Sequence, residues 1–325
     1  GCETDSIDLL NTVAEILINE PKEYKDLLTI NLKTGISFPK ARAKALDEYF
    51  KKYNLDYSLD INSKKYAKYP SDITSNSNLD INTFINQPNN ILGIEYIKAL
   101  MRFNSKINPV PLKRLGAGYH SLDTRTKLAS ATGIRTAMAN TDNISGLLPD
   151  NCLNIIKNHT TIEYNDFSTV LGSKLLSMDT LDHIEGINQD LSNRIANNKY
   201  NFTDIETFIP MLQSKNYTYS AISRALLHII LDIKTDGLKE FISNNYVNYA
   251  MILGFNKNTG VLSEISKSTK IPLVSKFATF YKEADNNQRK MLDINLKADN
   301  LYRMIYMNKT SETLPTEFQR QIIIK

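Results

Sequence analysis

The segment "KLASATGIRTAM", residues 127–138, places a run of small and hydroxylated residues between two cations, Lys127 and Arg135. Ser130 and Thr132 are residue types that cap helix N-termini, so the segment predicts a loop that turns into a helix near Thr132–Arg135. A helix N-terminus favours anions, and Arg135 in its first turn adds positive charge. The plain alternative is an ordinary helix start, with Ser130 or Thr132 as the cap and Arg135 exposed.

The preceding residues extend this pattern. "QPNNILGIEYIKALMRF", residues 87–103, has an N-terminal signal at Pro88 and a helical apolar period. A short β-like run follows at Val110–Leu115, closed by Gly116 and Gly118. The order of helix, strand, glycine loop and helix is typical of a doubly wound α/β domain, which binds ligands at the carboxyl ends of its strands.

The cations are concentrated in the same region. Residues 98–135 contain eight cations against one acid, Asp123, although the whole chain has a formal charge of only +4. Such a run is often only a solvated face. Here Arg114 ends the β-run, and the glycines let backbone N–H groups approach a ligand closely, so a phosphate is the expected guest.

The remainder of the first half reads as helical with one interruption. Residues 3–18 have a helical period opened by Asp5 or Ser6, and two further helical stretches lie between Glu23 and Tyr49. Residues 51–87 are rich in Asn, Ser, Tyr and Asp without a sustained period, and they are expected to form an extended loop or insertion.

The second half changes character after about residue 158. Its clearest helix lies in "YTYSAISRALLHIILDI", residues 217–233, with Thr218 or Ser220 as the cap. Residues 249–277 read as strand, short helix and strand, and a long helix follows around Ala284–Tyr306. We therefore expect an α/β domain over residues 1–158 and a mainly helical domain with a small α+β element over residues 159–325.

Composition sets broad limits. With 42% hydrophobic and 23% charged residues, the chain is ordinary for a soluble, helix-leaning protein. Its two cysteines, Cys2 and Cys152, build no disulfide scaffold and match no metal-ligand spacing, which fits a reducing compartment such as the cytoplasm. No apolar run approaches the roughly 20 residues of a spanning helix, so no membrane is implied.

Three blocks together carry a family resemblance. "QPNNILGIEYIKAL", "PLKRLGAGYHS" and "LASATGIRTAM" stand in this order at residues 87–100, 111–121 and 128–138. They resemble the tRNA(Met) cytidine acetate ligase family, whose members belong to the nucleotidyltransferase superfamily. The resemblance runs from Gly1 through residue 233 and on towards the end of the chain.

The resemblance implies a fold and an activity. The fold is a Rossmann-like α/β domain of the HIGH-type nucleotidyltransferases, here incomplete, followed by a mainly helical tRNA-binding domain. Members activate acetate with ATP as acetyl-adenylate and acetylate the wobble cytidine of elongator tRNA(Met). The implied partners are therefore ATP, acetate and that tRNA, with Mg²⁺ accompanying ATP, whereas no DNA is expected. No metal ligands can be assigned.

The resemblance also implies site residues. ATP-binding roles fall on Gly1, Asn89 and Arg114, with Asn90 the competing choice for the asparagine. In the third block, Ser130 and Thr132 would supply hydroxyl donors to the phosphates. Lys127 and Arg135 would offset the charge that develops as pyrophosphate leaves, and they are the candidate catalytic residues.

The chain departs from the family in one respect. The superfamily's H-x-G-H motif is not found here: the four histidines are His120, His159, His183 and His228. Gly1-Cys2-Glu3 stands directly before a helix, like the end of a strand whose remainder is missing. We expect a fragment that lacks roughly one hundred residues, the size of an α/β half-domain, and that is inactive by itself.

RNA contacts are candidates in the second half. Arg224 and His228 lie one turn apart and could touch RNA phosphate, although a solvated helix edge is the more common explanation. Tyrosines 217, 219 and 302, with Arg303, could stack on unpaired bases, but such residues are more often core or rim. His120 could face RNA or be a plain loop residue.

Two other functions remain open at this point. One is a non-catalytic RNA-binding module, and the other is an adenylyltransferase for a small metabolite, which would share the phosphate loop.

Overall fold

The computed structural model describes residues 2–53, 55, 81–115, 129–140, 143–257 and 260–325. The chain divides into two compact units, Gly1–Leu153 and Asn154–Lys325. The predicted boundary at residues 158/159 stays a prediction.

The first unit is helical over its described residues. Its helices are α1 (Ile7–Asn19), α2 (Lys22–Lys33), α3 (Phe38–Lys52), α4 (Ile81–Asn86), α5 (Pro88–Arg102) and α6 (Ala131–Ala139), and α7 (Asp150–Lys157) spans the division between the units. Ser6 caps α1 by accepting a hydrogen bond from the Leu9 amide, as one of the two predicted caps. Helix α1 packs on α5, α2 on α3, and α3 on α4.

The core of this unit is aliphatic and aromatic. Val13 and Ala14 of α1, Leu46 of α3 and Ile81 of α4 are fully buried. Removing such side chains from water is the main stabilising contribution, at about 25 cal/mol per Å² of apolar surface. The amphipathic periods read from the sequence therefore identify the faces that pack.

The described part of this unit contains no doubly wound sheet. It contains one parallel bridge, between Cys2 and Lys113, and no longer strand. The predicted β-run at Val110–Leu115 is thus shortened to a single paired position. Pro109 and Pro111 lack the N–H groups that a longer ladder needs, which accounts for the shortening.

Helix α5 packs very closely on the first residues of the chain. A Cβ added to Gly93 would lie 2.8 Å from the Sγ of Cys2 and 3.8 Å from Leu10. Cys2 is 8% exposed, and burial raises the pKa of its thiol. Only glycine lets the helix backbone come this near to the sulfur.

Helix α4 corrects the reading of residues 51–87 as one insertion. Residues 54 and 56–80 lie outside the described part, but Ile81–Asn86 is helical and its Ile81, Phe84 and Ile85 are buried in the core of the unit. These residues stand at i, i+3 and i+4, a helical signal that the surrounding Asn and Ser residues obscured.

The second unit is mainly helical with short parallel strand pairs. Besides two 3₁₀ turns at Tyr164–Phe167 and Lys199–Asn201, its elements are α8 (Ser168–Ser177), α9 (Gln189–Asn198), α10 (Ile205–Leu212), α11 (Tyr219–Leu231), α12 (Thr235–Ser243), β1 (Ala250–Met251), β2 (Gly254–Phe255), α13 (Val261–Ser268), β3 (Leu273–Val274), α14 (Phe277–Glu283), α15 (Asn286–Thr310) and β4 (Ile323–Ile324). Strand β1 pairs with β3, and β2 with β4. The predicted succession of strand, short helix, strand and long helix is confirmed.

Helix α11 forms the centre of the second core. Thr218 is its cap, accepting from the Ala221 amide, and the predicted stripe of Ile222, Ala225 and Ile229 is buried. Within the described residues, no helix of either unit combines the length and the apolar character needed to cross a membrane.

Candidate nucleotide-binding site

The first residues of the chain pair with the segment that contains Arg114. The Cys2 amide donates to the Leu112 carbonyl at 2.8 Å, and the Arg114 amide donates to the Cys2 carbonyl at 2.7 Å. Because the pairing is parallel, Glu3 and Arg114 both follow it at the same edge. In a complete α/β sheet, ligand-binding side chains collect at this end of the parallel strands.

Glu3 joins this edge to the first turn of α5. Its Oε1 accepts from Asn89 Nδ2 at 2.6 Å, and its Oε2 accepts from the Asn90 amide at 3.0 Å. The Glu3 amide in turn donates to Asn90 Oδ1 at 2.9 Å. A carboxylate at a helix N-terminus also satisfies an unpaired amide and complements the helix dipole. Residues 88–90, the P-N-N block, are thereby fixed beside the bridge between Cys2 and Lys113.

Asn90 is held from all sides. It is 0% exposed, and its Nδ2 donates to the Phe84 carbonyl at 3.1 Å and to Gln87 Oε1 at 2.8 Å. With Oδ1 accepting from Glu3, its carboxamide is fully used within the protein. Asn89 is instead half-buried at the edge, and only its Nδ2 is bonded among the described residues. Asn89 is therefore the more accessible of the two asparagines.

Helix α6 begins as the plain alternative describes. Ser130 is its cap, is 0% exposed, and accepts from the Gly133 amide at 2.9 Å. Thr132 is half-buried, and Arg135, the fifth residue of the helix and so just beyond its first turn, is exposed. A capped helix start does not exclude a phosphate, because the N-terminus of a helix favours anions.

Two of the predicted site residues lie outside the described part of the chain: Gly1 and Lys127. The same holds for Gly116, Gly118 and His120. The structure thus brings Asn89 and Arg114 to one edge and defines the α6 start that bears Ser130, Thr132 and Arg135.

Among the described residues, no group of three or more His, Cys, Asp or Glu side chains is placed so that it could hold a metal ion. The acidic pair near residue 165 has a structural role. Glu163 and Asp166 form a capping box on a 3₁₀ turn, and Asp166 pairs with Lys309 at 2.8 Å. Partial burial acts to raise the pKa of Asp166, but hydrogen bonds from the Glu163 amide and from Lys309 outweigh it and hold the pKa below its ordinary value.

The two RNA-contact candidates on α11 differ in their surroundings. Arg224 is exposed. His228 is half-buried, and its Nδ1 lies 2.7 Å from the Glu185 carbonyl, where it holds the turn before α9. A protein contact therefore occupies one nitrogen of His228.

The tyrosines considered for base stacking also differ. Tyr219 and Tyr302 are 46% and 45% exposed. Tyr217 donates to Asn188 Oδ1 at 2.5 Å and lies under the Arg194 guanidinium, and Arg303 donates to the Leu314 carbonyl. Tyr217 and Arg303 thus take part in the packing of the second unit.

Glu3 is the functional candidate that sequence reasoning missed. Its partners are 86 and 87 residues away in the chain, so no local pattern marks it. The only available signal is its place directly after a predicted strand end, where acceptor side chains collect.

Comparison with known proteins gives a consistent result. The family model described as HIGH Nucleotidyl Transferase matches residues 1–317. The tRNA(Met) cytidine acetate ligase of Halothermothrix orenii is 30% identical over 321 residues, which cover 94% of this chain and 71% of that protein. The enzyme of the same name from Caldanaerobacter subterraneus subsp. tengcongensis is 32% identical over 316 residues, covering 95% and 71%.

Solved structures agree on the fold. Thermotoga maritima TmcAL, in its apo form, superposes with a TM-score of 0.80 at 24% identity, covering 100% of this chain and 75% of that one. A second structure of the same protein, bound with alpha-thio ATP, gives the same values. The chain thus has the fold of a HIGH-type nucleotidyltransferase.

Proposed function

Because the chain belongs to the tRNA(Met) cytidine acetate ligase family, we propose that the full-length protein activates acetate with ATP and acetylates elongator tRNA(Met). The acetyl group goes to the exocyclic amine, N4, of the wobble cytidine. The carrier of the acetyl group is acetyl-adenylate, and pyrophosphate is the first product.

One observation carries the proposal: Glu3 ties the P-N-N block to the strand edge that also bears Arg114. Residues far apart in the chain are thus brought together at the end of a parallel bridge, and α/β folds commonly bind ligands at this end of their strands. A structural relative is bound with alpha-thio ATP, which supports ATP as the nucleotide that this family uses.

The chemistry needs positioning and positive charge. Acetate attacks the α-phosphorus of ATP in line with the departing pyrophosphate, and negative charge accumulates on the leaving oxygens. We assign to Arg135 and Lys127 the stabilisation of that negative charge. We assign Arg114, Ser130 and Thr132 to phosphate binding. Gly1 would let the backbone approach the nucleotide. Mg²⁺ is proposed only as the ion that accompanies ATP.

The second unit is proposed to bind the tRNA. Arg224 offers an exposed guanidinium to the RNA phosphates, and His228 can add a contact through Nε2, since Nδ1 is bonded to Glu185. Tyr219 and Tyr302 are exposed enough to stack on unpaired bases. The expected site of action is the cytoplasm.

The test is acetate-dependent release of pyrophosphate by the full-length protein, followed by analysis of N4-acetylcytidine in elongator tRNA(Met). Arg114→Ala is expected to weaken ATP binding about tenfold or more, since a charge-assisted hydrogen bond contributes about 1.5–3 kcal/mol. Arg102→Ala, at the opposite end of α5, is the matched control and should bind ATP as wild type does.

Each other outcome identifies a different function. A gel shift with tRNA but no nucleotide turnover indicates a non-catalytic RNA-binding module. Pyrophosphate release that tRNA and acetate leave unchanged indicates an adenylyltransferase for a small metabolite.

A further inference from the structure

We propose that Glu3 is a positioning residue: it orients the Asn89 carboxamide so that Oδ1 faces the nucleoside of ATP as a hydrogen-bond acceptor. The inference rests on the proposed function, because it assumes that ATP occupies the edge formed by Glu3, Asn89 and Arg114. It assigns to Glu3 a role that local sequence patterns do not reveal, and to Asn89 a defined polarity.

The orientation of Asn89 follows from the chemistry of its partner. An ionised carboxylate accepts hydrogen bonds and donates none. The Asn89 atom that lies 2.6 Å from Glu3 Oε1 must therefore be the amino group, Nδ2. The usual ambiguity of an amide flip is removed by this contact.

The Glu3 carboxylate is held in place by further hydrogen bonds to Asn90. Its second oxygen, Oε2, accepts from the Asn90 backbone amide at 3.0 Å, and its own amide donates to Asn90 Oδ1 at 2.9 Å. Asn90 is in turn buried and fixed by Phe84 and Gln87. Asn90 thus anchors the carboxylate, and the carboxylate anchors Asn89.

The Asn89 oxygen, Oδ1, is an acceptor, and it remains beside the second N–H of Nδ2. No described residue donates to its Oδ1, and a phosphate oxygen cannot, since it has no proton to give. The negative charge of Glu3 beside the amide also opposes a phosphate at this place. The hydrogen-bond donors of ATP are its ribose hydroxyls and its 6-amino group. Asn89 therefore contacts the nucleoside, and the triphosphate extends towards the cations.

Glu3→Gln reverses the polarity with almost no change in volume. A glutamine has one acceptor, and the backbone amide of Asn90 is a fixed donor that claims it. The new amino group then faces Asn89, which must rotate its oxygen inwards and present Nδ2 to the ligand. In the variant, Nδ2 of Asn89 would face a hydrogen-bond donor of ATP, whereas in the wild type Oδ1 accepts from that donor.

The experiment is calorimetric binding to the full-length protein, using four nucleotides. They are ATP, 2′-deoxyATP, 3′-deoxyATP, and purine riboside triphosphate, which lacks the 6-amino group. Wild type should bind ATP about five- to tenfold more tightly than the one analogue that lacks the donor read by Asn89. Which analogue that is distinguishes a ribose hydroxyl from the base.

Glu3→Gln should abolish this difference, whereas the matched control, Glu15→Gln on the exposed side of α1, should keep it. Asn89→Ala should also abolish it, without removing the carboxylate from α5, and it serves if Glu3→Gln fails to fold. Thermal unfolding checks that each variant is native.

Three results would overturn the inference. The first is that Glu3→Gln and Asn89→Ala discriminate among the nucleotides as the wild type does. The second is that these variants bind all four nucleotides more weakly by the same factor. The third is that the wild type itself binds the four nucleotides equally. A wild type that binds none of them would refute the proposed function as well.

Discussion

Helices α5 and α6 both begin beside residues assigned to ATP, but their first turns are held in different ways. The position before α5 is Gln87, whose side chain makes no capping bond, and a distant carboxylate, Glu3, takes its place. The start of α6 is capped by its own Ser130, three residues from the amide that it accepts. One start depends on tertiary structure, whereas the other is local.

The difference separates stability from ligand binding. At α5 the groups that hold the helix also orient the ligand-facing Asn89. A substitution that weakens this helix start should therefore also weaken ligand binding. At α6 the buried Ser130 caps the helix, while the exposed Arg135 takes no part in the cap and is assigned to the negative charge of the ligand. The following variants test this contrast.

Asn90→Ala is expected to have the largest effect. It leaves the Phe84 carbonyl and the Glu3 amide without their buried partner and should lower the free energy of unfolding by about 3 kcal/mol. Urea unfolding measures the loss. Asn89→Ala is the control, with an expected loss of about 1 kcal/mol or less; equal losses would contradict the central role of Asn90.

Arg135→Ala should act on catalysis alone. Acetate-dependent pyrophosphate release should fall about 100-fold, as on removal of one stabilising group from a transition state. Because Arg135 is exposed, the free energy of unfolding should change by less than about 0.5 kcal/mol. If the rate is unchanged, the α6 start is a structural helix cap and nothing more.

Ser130→Ala should act on stability in the absence of any nucleotide. Loss of the cap is expected to lower the free energy of unfolding by about 1 kcal/mol. Thr132→Ala, two residues on and half-buried, should cost less than half as much. Chemical denaturation of both variants provides the measurement, and the reverse order would place the cap at Thr132.

The smallest effect is expected at the 3₁₀ turn of the second unit, which combines a local capping box with the distant Lys309. The folded-state pKa of Asp166 is lowered, so its contribution is present at neutral pH and is lost as the pH falls below about 4. Asp166→Asn should lower the free energy of unfolding by about 0.5–1 kcal/mol at pH 7.

The same variant should differ less from wild type at pH 3. Unfolding at the two pH values, with Lys309→Met as the partner variant, provides the measurement. A difference that does not shrink in acid would show that the carboxylate charge is unimportant there.

Local signals explain most of what could be predicted from the sequence. Ser6 and Thr218 cap the helices that their positions predict, and the apolar stripe of α11 is buried. The short strands at residues 250–251 and 273–274 were also visible, because polar and turn residues separate them from the helices between. These features need information from only a few neighbouring residues.

Features built by distant residues were not predictable in the same way. No pattern within residues 1–6 indicates that Glu3 binds the start of α5, and the choice between Asn89 and Asn90 depends on which of them is buried. The β-run at residues 110–115 was overestimated, because a suitable apolar pattern does not overcome two prolines. The contact between His228 Nδ1 and the Glu185 carbonyl is likewise not marked by any local pattern.

The close approach of Gly93 to Cys2 has an evolutionary consequence. A methyl group at position 93 and a sulfur at position 2 cannot share this space, so the two sites should vary together. Orthologues that carry alanine in α5 at this point are expected to have glycine or alanine in place of the cysteine, and a paired substitution should be tolerated where Gly93→Ala alone is not.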